Sequence, residues 1–212
     1  MYSYFGAYGI GSCLRNFKIT RTGVNMARIP YPDLSKIVDP EILEALEKAR
    51  TRGTPRPESQ AIRAWVPDVL KSFSDAWDKT FVNGVVSHDL KELCRLYVTK
   101  TVECGYCGAQ RSSHASKMDE AVLDELINFR SSNKFSEKEK LALIYTDSIV
   151  WDSEIATDED WLRLNELFTV PELVELGYFI ALTSGQQRWI KTLKLQHFEV
   201  LADKKIGVVL PG

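Results

Sequence analysis

The sequence predicts an all-α fold, and three observations carry that expectation. Helix-starting residues recur ahead of apolar stretches: Asp39-Pro40, Ser87, Ser136 with Glu139, and Thr157 with Asp160. The stretches that follow space their apolar residues three and four apart, which lines one face of a helix. A convincing alternating strand pattern is missing, the final "IGVVL" excepted.

In chain order, "DPEILEALEKARTRG" places Asp39 as N-cap, Pro40 in the first helical position and Gly53 beyond the end. "GTPRPES" reads as a linker. Val66, Val69, Leu70, Phe73, Ala76, Trp77 and Phe81 then form a helical stripe, and Asn83-Gly84 breaks the chain. Ser87 caps a helix carrying Leu90, Leu93, Cys94, Tyr97, Val98 and Thr101 on one side. Val122, Leu123, Leu126 and Ile127 mark a short helix. Ser136 and Glu139 form a capping box before Leu141, Ile144, Tyr145, Ser148 and Ile149. Thr157 and Asp160 open a helix with Trp161, Leu164, Leu167 and Phe168. Pro171 opens a long apolar helix running to about Leu195. The sum is roughly seven or eight helices around one core.

The 212 residues suffice for one domain with a substantial core and would make two cramped. Residues 26 to 212 are read as that single domain. Residues 1 to 25 contain no acid and many aromatics and glycines; they are read as a disordered extension, with Met26 a plausible start. Glycines interrupt the apolar part of this extension, which argues against a secretory signal. The compartment expected is the cytoplasm, or the mitochondrion if the extension is a presequence. A net charge of -2 gives no electrostatic case for nucleic acid, and no apolar run has the length of a membrane span.

The chemistry-bearing stretch is "VECGYCGAQRSSH", at the junction of two helices. It holds Cys104 and Cys107; the other cysteines, Cys13 and Cys94, stand apart, and Cys94 sits on an apolar stripe as an inert residue. Four cysteines at uneven spacing fit a reducing compartment in which one pair has a role. Three readings are open. A dithiol two residues apart can close to a disulfide after one sulfur is oxidised, and a cysteine in a first helical turn gains thiolate character. A zinc site wants four ligands at paired spacing, and no second CxxC or HxxxH accompanies this one. Two inert buried cysteines are the third.

"LKELCRLYVTKTVECGYCGAQRSSH", then "FSEKEKLALIYTDSIV", then "LFTVPELVELGYFIAL" resemble the alkylhydroperoxidase D and carboxymuconolactone decarboxylase family, and "MARIPYPDL" is similar to the start of many members. The resemblance runs in the same order over about residues 26 to 200. It implies a compact all-helical fold with a helix hairpin carrying the CxxC, assembled as trimers or hexamers. It further implies reduction of a hydroperoxide by the cysteine pair, a dithiol electron donor as partner, and no cofactor or metal. The family pattern places a glutamate twelve residues before the CxxC and a histidine four residues after its second cysteine. By that pattern Glu92 is the proton-moving glutamate, Cys107 the peroxide-attacking thiol and Cys104 the resolving one. Tyr106 stands where some members have a second histidine. Arg111 stands in the place of the motif histidine, and an arginine does not shuttle protons.

On one straight helix Glu92 would lie about 18 Å from Cys104, so the chain is expected to reverse near residues 101 to 104. The second helix would then carry Cys107 and Arg111 and set Glu92 beside Arg111 or His114. A Glu92–Arg111 pair is the expectation, either structural or with Arg111 stabilising the Cys107 thiolate or binding an anionic substrate group, and His114 is a substitute for the missing histidine or a solvated helix residue. Trp65, Trp77, Trp151, Trp161 and Trp189 are read as core or subunit-contact residues. Gln186, Gln187 and Arg188 are candidates for pocket lining or for solvent, and His88 and His197 stand alone. The leading function is thiol-dependent hydroperoxide reduction. The alternatives are a decarboxylase-type lyase on a small carboxylated lactone and a non-catalytic helical oligomer that binds a small ligand.

Overall fold

The computed structural model describes residues 27–116 and 119–200, which are helical with no extended β-strand. The extension before Met26 and the "IGVVL" segment lie outside the described residues. Helix α1 is Pro40–Thr51, and Asp39 accepts from the Glu41 and Ile42 amides as its cap. Gly53 follows with φ 76°, the left-handed geometry that ends a helix at no steric cost. Helix α3, Pro67–Trp77, continues through a wider turn, Asp78–Val82, before the break at Gly84, φ 98°. Helix α4 is His88–Thr101, capped by Ser87, and α5 is a single turn, Gly105–Gly108. The expected short helix divides into α6, Glu120–Asp124, and a 3-10 turn at Leu126–Asn128. Helices α7, Glu137–Val150, and α8, Asp158–Leu167, start at the two capping boxes expected. A third box, Thr169 with Glu172, starts α9, Val170–Leu193.

One segment departs from expectation. The last three residues of the supposed linker, Pro57, Glu58 and Ser59, open helix α2, Pro57–Arg63, and every residue of it is buried. Its seven residues include only two aliphatic side chains, so no apolar stripe announces it. Its start is nonetheless marked by Pro57 in the first turn followed by Glu58, the residue types that a helix N-terminus favours.

Helices α4, α7 and α9 pack on one another, the Asp78–Val82 turn that continues α3 packs on α4 and α9, and α8 lies on α7. Phe81 and Phe179 stack at 5.0 Å between ring centres, with Trp77 against both. Leu93, Cys94, Leu141, Leu176 and Phe179 fill the centre. Burying each such aliphatic or aromatic side chain stabilises the fold by about 1.5–3 kcal/mol. Helix α9 meets α7 at Gly177, where any Cβ would collide with the Tyr145 hydroxyl. Among the tryptophans, Trp77 is core, Trp161 and Trp189 are partly buried, and Trp65 and Trp151 are exposed. Central α4 is buried from Leu90 to Thr99, charged residues included. Lys91 is sealed in because its ammonium meets Glu175 and the Asn83 carbonyl, and Glu175 also accepts the Val85 and Val86 amides.

Among the described residues no single helix is long and apolar enough to cross a membrane.

Candidate functional site

Helix α4 ends at Val102, and the chain reverses through Glu103, whose φ of 51° is left-handed for a residue that is not glycine. Lys191 of α9 donates to the Val102 carbonyl at 2.8 Å and so satisfies the helix end. Cys104 is the cap of the turn that follows: its amide donates to the Thr99 carbonyl, and its sulfur accepts the Cys107 amide at 3.2 Å. Cys104 and Cys107 are joined as a disulfide, Cα atoms 5.2 Å apart. Both sulfurs are therefore engaged with each other, and no three His, Cys, Asp or Glu side chains among the described residues gather as a metal site.

The pair is buried, packed among Ile62, Val98, Val102, Ile190, Leu193 and Leu195. The reversal brings Glu92 opposite the expected stretch, but its partners differ from those expected. Glu92 accepts the Ser112 amide at 2.9 Å and is gripped by Arg95 of its own helix through two hydrogen bonds. Arg95 also donates to the carbonyls of Gln110 at 2.7 Å and Cys107 at 3.3 Å. This guanidinium is what ties α4 to the cysteine turn. The pair at i, i+3 was legible as a helix-surface spacing, and the burial of both members was not.

Arg111 takes no part in that contact. The second helix stops at Gly108, so Arg111 lies past it; it donates to the Gly108 and Gln110 carbonyls and pairs with Glu120 at 2.8 Å. The expected Glu92–Arg111 pair is thus corrected to Glu92–Arg95, because one helical turn is too short to carry Arg111 back over α4. His114 is likewise on a loop, exposed, its ring 5.8 Å from that of His88. His88 does not stand alone: it bridges the Phe81 carbonyl and the Ser112 hydroxyl at 2.8 Å each, and burial holds its pKa below the ordinary value.

Tyr106 finds its polar partner on α2 and its ring partner beyond α9. Its hydroxyl donates to Glu58 of α2 at 2.9 Å, and its ring stacks on His197 at 4.3 Å. Burial first, then Glu58, raises the Tyr106 pKa well above the usual phenol range. Glu58 also accepts the Phe198 amide, so α2, the cysteine turn and the segment after α9 meet at one carboxylate. His197 bonds the Tyr106 carbonyl at 3.0 Å, and burial, helped by the Arg56 charge, lowers its pKa to about 4. Cys94 is buried and free, its thiol pushed up to about 12 by burial, in keeping with an inert residue.

A small cavity of about 30 Å³ borders Cys107. Its wall includes Arg63 of α2, Phe73 and Trp77 of α3, and Gln186 and Gln187 of α9. Volume and polar lining suffice for one or two water-sized groups. Gln187 donates to the Arg95 carbonyl and the Thr183 hydroxyl, so this glutamine lines the site, whereas Arg188 is exposed.

No protein-family model matches the sequence, and no curated protein does so significantly. Solved structures do, and the fold they define is the AhpD-like helical fold. An uncharacterised peroxidase-related protein from Ralstonia eutropha, described as an alkylhydroperoxidase AhpD core, aligns with TM-score 0.62 and 19% identity, over 81% of this chain and 92% of its own. A protein of unknown function from Agrobacterium tumefaciens, assigned to AhpD-type antioxidant defence, aligns with TM-score 0.55 and 19% identity, over 63% and 93%. The debrominase Bmp8, in a cysteine-to-alanine variant bound to 2,3,4-tribromopyrrole, aligns with TM-score 0.62 and 16% identity, over 80% and 92%.

Proposed function

We propose that this chain is a thiol-dependent oxidoreductase of the alkylhydroperoxidase kind, reducing hydroperoxides through Cys104 and Cys107. The observation that carries the reading is the bonded pair set beside a cavity whose wall contains Cys107 and not Cys104. That asymmetry supports Cys107 as the attacking sulfur. In the first step its thiolate attacks the terminal peroxide oxygen, the O–O bond breaks, and the alkoxide takes a proton to leave as alcohol. The sulfenic acid so formed is attacked by the Cys104 thiolate, which makes the disulfide and releases water. An external dithiol then supplies two electrons and two protons to reopen it. Glu92 takes the proton-moving place of the family pattern; because Arg95 and the Ser112 amide engage both its oxygens, that role requires a water to enter beside it from the Cys107 cavity, which Arg95 lines. Arg111, His114 and Tyr106 are auxiliaries that shape the turn. No cofactor is called for, and a reducing cytoplasm supplies the donor.

We also propose a homo-oligomer, a trimer or hexamer, supported by Leu162 and Leu167 on α8 and Val170 and Val174 on α9, all exposed. Sizing by light scattering checks it; a monomer at micromolar concentration counts against it.

The functional test is a thiol titration of the reduced protein before and after one equivalent of cumene hydroperoxide. Loss of two thiols per chain, with Cys104→Ser trapping a sulfenic acid on Cys107 and Cys107→Ser leaving the peroxide untouched, supports the reading. Unchanged thiols favour the small-ligand binding protein instead.

A further inference from the structure

Arg63 is a buried cation, 2% exposed, on the wall of the Cys107 cavity. Its guanidinium lies 3.6 Å from the centre of the Phe73 ring and 5.2 Å from that of Trp189. Its hydrogen bonds go to two neutral amides, Gln60 at 3.0 Å and Gln186 at 2.8 Å, and to no carboxylate among the described residues. Burial without an anion lowers its pKa to about 9. A desolvated charge is costly unless an opposite charge meets it. The other buried arginine of the site, Arg95, has its glutamate, and Arg63 has none.

The same side chain faces a second space. An open groove of about 520 Å³ between α3 and α9 is walled by Val69, Phe73, Ala76, Tyr178, Leu182 and Trp189, and shares Arg63, Phe73 and Gln186 with the cavity at Cys107. Asp68 at its exposed mouth forms no ion pair with Arg63. Gln187 lines the small cavity at Cys107 and not this groove; its Oε1 is buried there and accepts no hydrogen bond among the described residues.

We propose that the α3/α9 groove is a binding subsite for a small carboxylate with an apolar body, the carboxylate seated on Arg63 in place of Gln186 and the body lying along Val69, Ala76 and Tyr178. A planar carboxylate matches the guanidinium fork, and the aromatic and aliphatic wall takes the chain. The proposal rests on the thiol reading only in making the bound ligand's inner end a neighbour of Cys107.

Octanoate and octanol are the probes, titrated into the disulfide form of the full chain by calorimetry and by tryptophan fluorescence. Octanoate should bind at least tenfold tighter than octanol. Arg63→Gln should remove that preference. Gln186→Leu frees a guanidinium N–H and should tighten octanoate several-fold, an effect that a purely structural Arg63 would not produce and that does not depend on Arg63→Gln folding. Equal binding of the two probes, no binding of either, or an unchanged octanoate affinity in Gln186→Leu overturns the subsite. The thiol chemistry is read separately: peroxide consumption without octanoate binding overturns the subsite alone, and octanoate binding in a chain inert to peroxide supports the subsite while removing the redox reading.

Discussion

Arg95 holds Glu92 by two parallel hydrogen bonds, Nε to Oε2 at 2.6 Å and Nη2 to Oε1 at 2.8 Å, and both side chains are sealed from water. One helical turn separates them, yet the pair ties two segments together, because Arg95 also donates to the cysteine turn and Glu92 also accepts the Ser112 amide.

Glu92→Ala leaves Arg95 buried without its anion. Loss of one member of such a pair costs about 3–5 kcal/mol, measured as a shift in the urea unfolding midpoint. The double variant Glu92→Leu/Arg95→Leu should not recover the loss. It strips the donor from the Cys107 and Gln110 carbonyls, so the polar groups left behind are new ones. Full recovery would mean that the bonds to the turn contribute nothing.

Arg111→Ala should cost about 1–2 kcal/mol, for it removes hydrogen bonds to two carbonyls and a half-exposed pair with Glu120. The pH dependence of Cys107 alkylation in the reduced protein should not change, because Glu120 and the carbonyls occupy the guanidinium. A raised thiol pKa in this variant would restore a catalytic part for Arg111.

Glu103→Gly should stabilise the protein by about 1 kcal/mol. The left-handed backbone there penalises a Cβ by about 1–2 kcal/mol, and glycine relieves it at some entropic cost. The Glu103 side chain is largely exposed and its contact with Lys191 is long, 3.7 Å, so little is lost with it. A lowered melting temperature would contradict the argument.

Acid should destabilise the fold before its carboxylates titrate. His197 has a folded pKa of about 4 against an ordinary 6.5, and that of His88 is lowered as well. The unfolded chain therefore takes up these protons first. Stability is fully present above the ordinary value and falls as pH drops from about 6.5 toward about 4. The groups facing His197 are Arg56, Tyr106 and Phe198, with the Glu58 carboxylate behind them accepting from the Tyr106 hydroxyl and the Phe198 amide. Urea midpoints measured between about pH 5 and 7 should slope upward with pH, and His197→Gln should flatten the slope. An unchanged slope would show that this imidazole is already charged in the folded state.

Much of the helical order was legible because it is written locally. Ser136 with Glu139 and Thr157 with Asp160 are complete start signals within four residues, and the stripe from Leu90 to Thr101 marks the central helix. Cys104 and Cys107 could be singled out from their spacing, and Glu92 from the resemblance. Partners could not be read in the same way. Arg56 to Arg63 looks solvated because its composition is polar, and only tertiary packing reveals that Glu58 answers Tyr106 and Arg63 closes the Cys107 cavity. Arg111 was misplaced because the cysteine helix was taken to continue, although Gly108, at its end, is the residue type that commonly stops a helix.

His197 lies 91 positions downstream of Tyr106, and Tyr31 reaches across to Glu199 at 2.5 Å. The cover over the cysteines is thus assembled from both ends of the described chain. During synthesis the two thiols emerge long before the C-terminal residues that complete their cover. A nascent chain carries an open, unguarded pair until α9 and the segment behind it have left the ribosome, and any oxidant or foreign thiol meets it in that interval. Vulnerability of this protein is therefore a matter of timing, greatest in unfinished chains and least in completed ones.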